Sequence, residues 1–216
     1  MRKEFNINEQ FPLIAIIRGV LPENVIRVAS ILIEEGFTMI EVPLNSPDAL
    51  VSIKKLVDYY LTNQTQQYFV GAGTVTTPEL AKAVIATGAN LVVTPNMNED
   101  VIKLSVQAGC ATFPGIVTPT EAFSALAYGA TGIKLFPVSS LGLDGFKALN
   151  SVLPRETLCF PVGGIDPSVA SMKPLMDIGA QGFGLGSSLF KPTMTDDEIR
   201  TAAKAFVTTF KQLSAK

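Results

Sequence analysis

Apolar residues gather in eight short runs along the chain, and a stretch of mixed polarity follows each. The runs lie at 13–18, 39–44, 68–74, 91–95, 111–116, 132–137, 158–164 and 182–187. They are short, nearly continuous and bounded by turn residues, so they read as buried strands. Between them apolar positions recur at helical spacing; Val25, Val28, Ala29 and Leu32 form one such stripe. The pattern predicts helices over 23–35, 47–60, 78–87, 98–108, 118–128, 145–152, 167–178 and 196–213. Punctuation agrees with it. Pro22, Pro47, Pro78 and Pro167 stand where helices open, and Gly36, Gly88, Gly109, Gly129 and Gly179 where they close.

Eight strand–helix units in alternation predict an α/β chain of the (β/α)8 TIM-barrel class. A doubly wound open sheet is the rival, but no run reads as an exposed edge strand and the count reaches eight. With no linker and no low-complexity segment, residues 1–216 read as a single domain.

Composition narrows the function. Hydrophobic residues make up 47% and charged ones 17%, which is globular rather than disordered. The net charge is −2 with no basic block, so neither nucleic acid nor a membrane surface is an expected partner. No apolar run reaches the length of a membrane span. Residues 1–10 carry charges and no apolar signal core, so the expected location is cytoplasmic. Cys110 and Cys159 fall in predicted buried strands and read as core thiols. The chain has no histidine. That excludes His-ligated zinc, Ser-His triads and histidine bases, and leaves acid–base work to Glu, Asp, Lys, Tyr, Cys or water.

In barrels of this class the chemistry sits at the C-terminal strand ends. Here those ends carry Arg18, Glu41, Thr74, Thr94, Lys134, Gly163-Gly164 and Gly186-Ser187. Alternation puts Lys134 and Phe136 on one face of the sixth run, opposite Ile133 and Leu135. An amine among apolar neighbours loses hydration, its pKa falls, and the neutral form is a nucleophile toward a ketone. The plain alternative is a lysine that snorkels to water. Glu41 also points inward, either as a general acid/base working through water or as a packing ion pair with Lys134 or Arg18. Arg18 suits a carboxylate, which it can grip with two parallel bonds, or else caps its strand. Thr74 offers a hydroxyl. The glycines Gly163, Gly164 and Gly186, with Ser187, let backbone come close to a phosphate. Pro95, Pro114, Pro119 and Phe136 are candidates for apolar walls. Together these groups suit Schiff-base chemistry on a phosphorylated keto acid, with no metal site and no cofactor required.

Several stretches carry a resemblance. They are Ile16-Ile17-Arg18-Gly19, Ile40-Glu41-Val42-Pro43-Leu44-Asn45-Ser46-Pro47, Gly71-Ala72-Gly73-Thr74-Val75, Val93-Thr94-Pro95-Asn96, Lys134-Leu135-Phe136-Pro137, Val162-Gly163-Gly164 and Gly184-Leu185-Gly186-Ser187. Over nearly its whole length the chain resembles the class I 2-keto-3-deoxy-6-phosphogluconate/galactonate aldolase family. The resemblance implies Lys134 as the Schiff-base lysine and Glu41 as the acid/base. It implies Gly163, Gly164, Gly186 and Ser187 at the phosphate, Arg18 and Thr74 at the keto-acid end, a homotrimer, and no metal. Pro43 and Asn45 stand where gluconate-type members carry Thr and Arg. That departure sides with the galactonate branch, whose products are pyruvate and D-glyceraldehyde 3-phosphate. A gluconate-type or dual-epimer aldolase is the alternative. A phosphosugar isomerase or epimerase would share the phosphate end without needing an imine, and a non-catalytic phosphosugar-binding protein would leave Lys134 and Glu41 idle.

Overall fold

Each apolar run becomes a strand, but only its most buried centre enters a ladder. The strands are β1 (Leu13–Ile16), β2 (Met39–Pro43), β3 (Phe69–Gly73), β4 (Leu91–Val93), β5 (Ala111–Phe113), β6 (Gly115–Ile116), β7 (Ile133–Leu135), β8 (Cys159–Pro161) and β9 (Phe183–Leu185). The fifth run yields two of them. Pro114 has no N–H to give a neighbour, and pairing stops on one side of it and resumes on the other. These coordinates are a computed structural model describing residues 5–61 and 67–215. Of the polar lead at 1–10, Met1–Glu4 lie outside the described residues.

The helices are α1 (Val25–Glu34), α2 (Ala49–Tyr60), α3 (Pro78–Ala86), α4 (Glu99–Gln107), α5 (Pro119–Ala127), α6 (Val138–Asn150), α7 (Val169–Asp177) and α8 (Asp196–Ser214). Caps explain several starts. Thr77, Asn98, Thr118, Ser168 and Thr195 each accept a backbone N–H of the first turn, and Thr118 and Thr195 do so within reciprocal boxes closed by Glu121 and Glu198. The sixth helix departs from expectation. It begins directly after β7, at Val138, and Gly142 breaks it at φ 67° and ψ 176°. Glycine tolerates that conformation, so a short first piece can turn before the predicted stretch begins.

All strand pairs are parallel. Six strands form a sheet in the order β5-β4-β3-β2-β1-β9, and three form another in the order β6-β7-β8. Backbone bonds cross between them. Lys134 N donates to Pro114 O at 2.9 Å, Thr131 N to Thr112 O at 2.9 Å, and Val162 makes an isolated parallel bridge to Gly184. The architecture is α/β, with parallel strands alternating with helices as the sequence predicts.

Alternation sorts the core into two parts. Ile14, Met39, Phe69, Leu91, Val93, Ala111, Phe113 and Phe160 pack together on one face of the strands. Phe113 meets Phe160 edge-on with centroids 5.0 Å apart, and Phe5 meets Phe69 at 4.9 Å. The opposite face, with Leu13, Ala15, Ile40, Val42, Val70, Ile133 and Leu135, packs under the helices. Glu41 and Lys134 alternate with these residues and so point to the face of the aromatic cluster. Among the described residues, no helix is long and apolar enough to cross a membrane. Both cysteines are buried. Cys110 lies just before β5, not within a strand as expected, and its thiol donates to Ala89 O at 3.3 Å. Burial pushes the Cys159 thiol up to about 12, which makes it unreactive.

Candidate active site

Lys134 sits in the middle of β7, where Ile133 and Leu135 fix the strand by packing under the helices. Its amine therefore has one direction to take. It is 7% exposed and lies over the Phe136 ring, 4.6 Å from the centroid. Burial holds its pKa below the usual lysine range; Glu41 opposes that shift and Arg18 adds to it.

Glu41 reaches the same region from β2. It is 1% exposed, and one carboxylate oxygen, Oε2, has no hydrogen-bond partner. Burial raises its pKa to about 7, against the lowering pull of Lys134 and Arg18. A buried carboxylate with a bare oxygen is costly and asks for a reason. The neighbouring strand makes room for it. Pro43 pairs with Gly73 across β2 and β3, and a Cβ built on Gly73 would fall within the Glu41 carboxylate. A cavity of about 430 Å³ opens beside this pair. Burial biases both groups toward neutrality. A neutral amine and a protonated carboxyl in one apolar chamber form a nucleophile with a proton donor at hand.

The cavity gathers the residues expected from sequence. Arg18, Thr74, Pro95, Lys134, Phe136, Gly163, Gly164, Gly186 and Ser187 all line it. Glu41 is buried and is not among the residues that line it. Arg18 stands beyond the end of β1, exposed at the rim, and its Nη1 donates to Asn45 Oδ1. Thr74 follows β3 with φ 60°, a left-handed conformation rare for a β-branched residue. Nothing in the sequence signals that strain. Gly163 and Gly164 take φ of 103° and 71°, and a Cβ built on Gly164 or Gly186 would meet nothing within 4 Å. These two glycines therefore serve no packing need; they leave bare backbone at one end of the cavity.

Three expected wall or mouth residues lie elsewhere. Thr94 is fully buried, donates to Asn96 O and accepts from Gly115 N at 3.3 Å, so its hydroxyl is spent within the scaffold. Pro114 separates β5 from β6, and Pro119 opens α5. Sequence reasoning stopped at Ser187 and missed the next turn. Ser188, Phe190, Lys191 and Pro192 also line the cavity, and Lys191 brings a cation to its glycine-rich end. Ser188 Oγ donates to Asp166 Oδ1 at 3.1 Å, which ties the loops after β8 and β9 together. The lone cation just past a glycine-rich strand end was the available signal. Among the described residues, no three Cys, Asp or Glu side chains gather as a metal site would require.

The sequence family described as "Aldolase: KDPG and KHG aldolase" matches residues 5–204. A probable 2-dehydro-3-deoxy-6-phosphogalactonate aldolase of Rhizobium meliloti is 44% identical over 194 residues, which covers 90% of this chain and 89% of that protein. The 2-dehydro-3-deoxy-6-phosphogalactonate aldolase of Escherichia coli K12 is 39% identical over 203 residues, covering 94% and 96%. Among solved structures, one described as "Native KDPGal structure" superposes with a TM-score of 0.91 at 37% identity, over 99% of this chain and 100% of the other.

Proposed function

The chain belongs to the KDPG and KHG aldolase family, and from that premise we propose that it cleaves 2-dehydro-3-deoxy-6-phospho-D-galactonate to pyruvate and D-glyceraldehyde 3-phosphate through an imine on Lys134. The observation that carries the reading is the buried Lys134–Glu41 pair opening onto a cavity whose far end is bare glycine backbone.

The steps follow from the charges. Lys134 attacks the C2 ketone as a neutral amine, and Glu41 gives its proton to the departing oxygen, which leaves as water. The imine is now cationic, and a fixed positive charge beside Glu41 favours its carboxylate form. The acid has become a base at the moment one is needed. Glu41, directly or through a water at its bare Oε2, takes the C4 hydroxyl proton. The C3–C4 electron pair moves into the imine, and D-glyceraldehyde 3-phosphate departs. The enamine left behind takes the proton back at C3, and water hydrolyses the imine to release pyruvate and the Lys134 amine. Arg18 and Thr74 hold the carboxylate end, Pro95 and Phe136 keep water from the amine, and Gly163, Gly164, Gly186 and Ser187 receive the phosphate. No step calls for a metal or a cofactor.

The galactonate substrate is favoured over its gluconate epimer because relatives named for it align over most of both chains at 44% and 39% identity. A KHG/KDPG aldolase of Escherichia coli K12 is 29% identical over 159 residues. The proposal includes a single domain whose two sheets close into one (β/α)8 barrel, supported by the Lys134–Pro114 backbone bond and the Val162–Gly184 bridge. A homotrimer in the cytoplasm completes it, on the family resemblance for the first and the charge and hydropathy pattern for the second.

Borohydride reduction with pyruvate, followed by peptide mass analysis, tests the mechanism. A reduced pyruvyl adduct is expected on Lys134, and an active enzyme without it would require another nucleophile. Assays of both epimers test the substrate, with a gluconate preference overturning the assignment.

A further inference from the structure

The loops after β1 and β2 are fastened to each other at the cavity rim. Arg18 Nη1 donates to Asn45 Oδ1, and next to it Gly19 N donates to Ser46 Oγ at 2.9 Å. Ser46 is buried, while Arg18 and Asn45 are exposed. Arg18 lines the cavity with Thr74 and Lys134, whereas Asn45 does not. An arginine on an open rim would ordinarily spread over many rotamers, and fixing one costs entropy each time a ligand binds. A bond formed before the ligand arrives removes much of that cost.

The identity of the partner matters. An amide oxygen occupies one N–H of the guanidinium and leaves the others free. It is neutral, so the positive charge stays available to a carboxylate in the cavity. An aspartate would hold the same N–H and cancel that charge. The buried Ser46, held by Gly19, anchors the Asn45 loop so that it can act as a fixed point.

We propose that Asn45 is a positioning residue: it holds the Arg18 guanidinium over the ketone end of the cavity, so that the keto-acid carboxylate meets a preset fork. The inference rests on the aldolase reading and names the residue through which that reading's carboxylate contact is set. Its reach extends to the amine. Burial first, and the Arg18 charge after it, lower the Lys134 pKa, with Glu41 opposing. A guanidinium held at the rim keeps its contribution; one swinging into solvent loses it.

Pyruvate alone isolates this end of the site. Exchange of its methyl protons for deuterium, followed by NMR, needs the imine and the enamine but neither aldehyde nor phosphate. Asn45→Ala raises the KM for pyruvate roughly tenfold and leaves the exchange kcat within about twofold. In the condensation direction its KM for D-glyceraldehyde 3-phosphate stays within about twofold. Arg18→Ala raises the pyruvate KM at least as much, and the double variant costs no more than Arg18→Ala alone, because Asn45 acts only through Arg18. Asn45→Asp does not restore pyruvate binding. Additive losses in the double variant overturn the proposal. So do an unchanged pyruvate KM in Asn45→Ala, a loss confined to kcat with a lowered Tm, or full recovery in Asn45→Asp. A wild-type protein that exchanges no pyruvate protons overturns the aldolase reading instead.

Discussion

Lys134 and Glu41 are each pushed toward neutrality by burial, and each is pulled back by the other. Between their two titrations the coupled pair holds a single proton. Its productive arrangement has that proton on Glu41. As Glu41 and the amine both become protonated on the acid side, the amine is blocked. We therefore expect kcat/KM for cleavage to fall as pH drops through about 7, and Glu41→Gln to shift that acid limb and lose most of the turnover. The same shift has a stability side. Glu41 titrates near its ordinary value of 4.5 when unfolded and near 7 when folded, so folding disfavours its ionised form. That cost is absent below 4.5, grows as pH rises to 7, and is full above it. The Tm of Glu41→Gln should accordingly gain on wild type from pH 4.5 to 7 and hold its lead beyond, with a pH-independent difference counting against the assignment. Gly73 belongs to this scale too. In Gly73→Ala the added methyl must displace the Glu41 carboxylate, and we expect kcat to fall by about a hundredfold or more while the protein still folds. The inward direction of Glu41 and Lys134 was legible because strand alternation fixes it. The need for glycine opposite Glu41, and the left-handed Thr74, were not, since both depend on what a neighbouring strand brings near.

Strands and helices were easier to read than the places where they break. Nearly continuous apolar runs mark parallel strands covered on both faces, and every such run contributes to a ladder. Ladder ends depend on which partner offers a hydrogen bond, so residues 17–18 and 162–164 read as strand yet lie beyond one. Pro114 read as part of a strand because its neighbours are apolar; its missing N–H splits the run into β5 and β6. The early start of α6 hid behind Gly142, which looks like a helix breaker and acts as a corner between two helical pieces. The aromatic packing beneath the site is a testable element. Phe113 is fully buried and meets Phe160 and Phe5 edge-on. Phe113→Ala should cost about 3–5 kcal/mol in urea unfolding. A loss below about 1 kcal/mol would mean that the cluster collapses to fill the gap.

The two halves of the reactive pair belong to different sheets. Glu41 lies on β2, well inside the six-stranded sheet, and Lys134 on the middle strand of the three-stranded one. Sequence reasoning expected both at C-terminal strand ends, whereas each sits at the centre of its strand; the repeating units revealed which strand carries each residue but not its depth along it. Division of the strands into six and three was hidden, because it turns on backbone bonds around Pro114 and Val162 that no residue pattern encodes. The smaller sheet has short strands and fewer partners to hold it, which places it among the less stable parts of the fold. Amide exchange should be faster at Ile133–Leu135 than at Met39–Pro43. Activity should disappear on heating before the helical signal does, and coincident loss of the two would refute this ordering. For anyone selecting variants that survive heat, the seam between the sheets is then the place to look. Substitutions that fasten the segment around Pro114 or the Val162–Gly184 bridge would lengthen working life, even where they add nothing to the energy of complete unfolding.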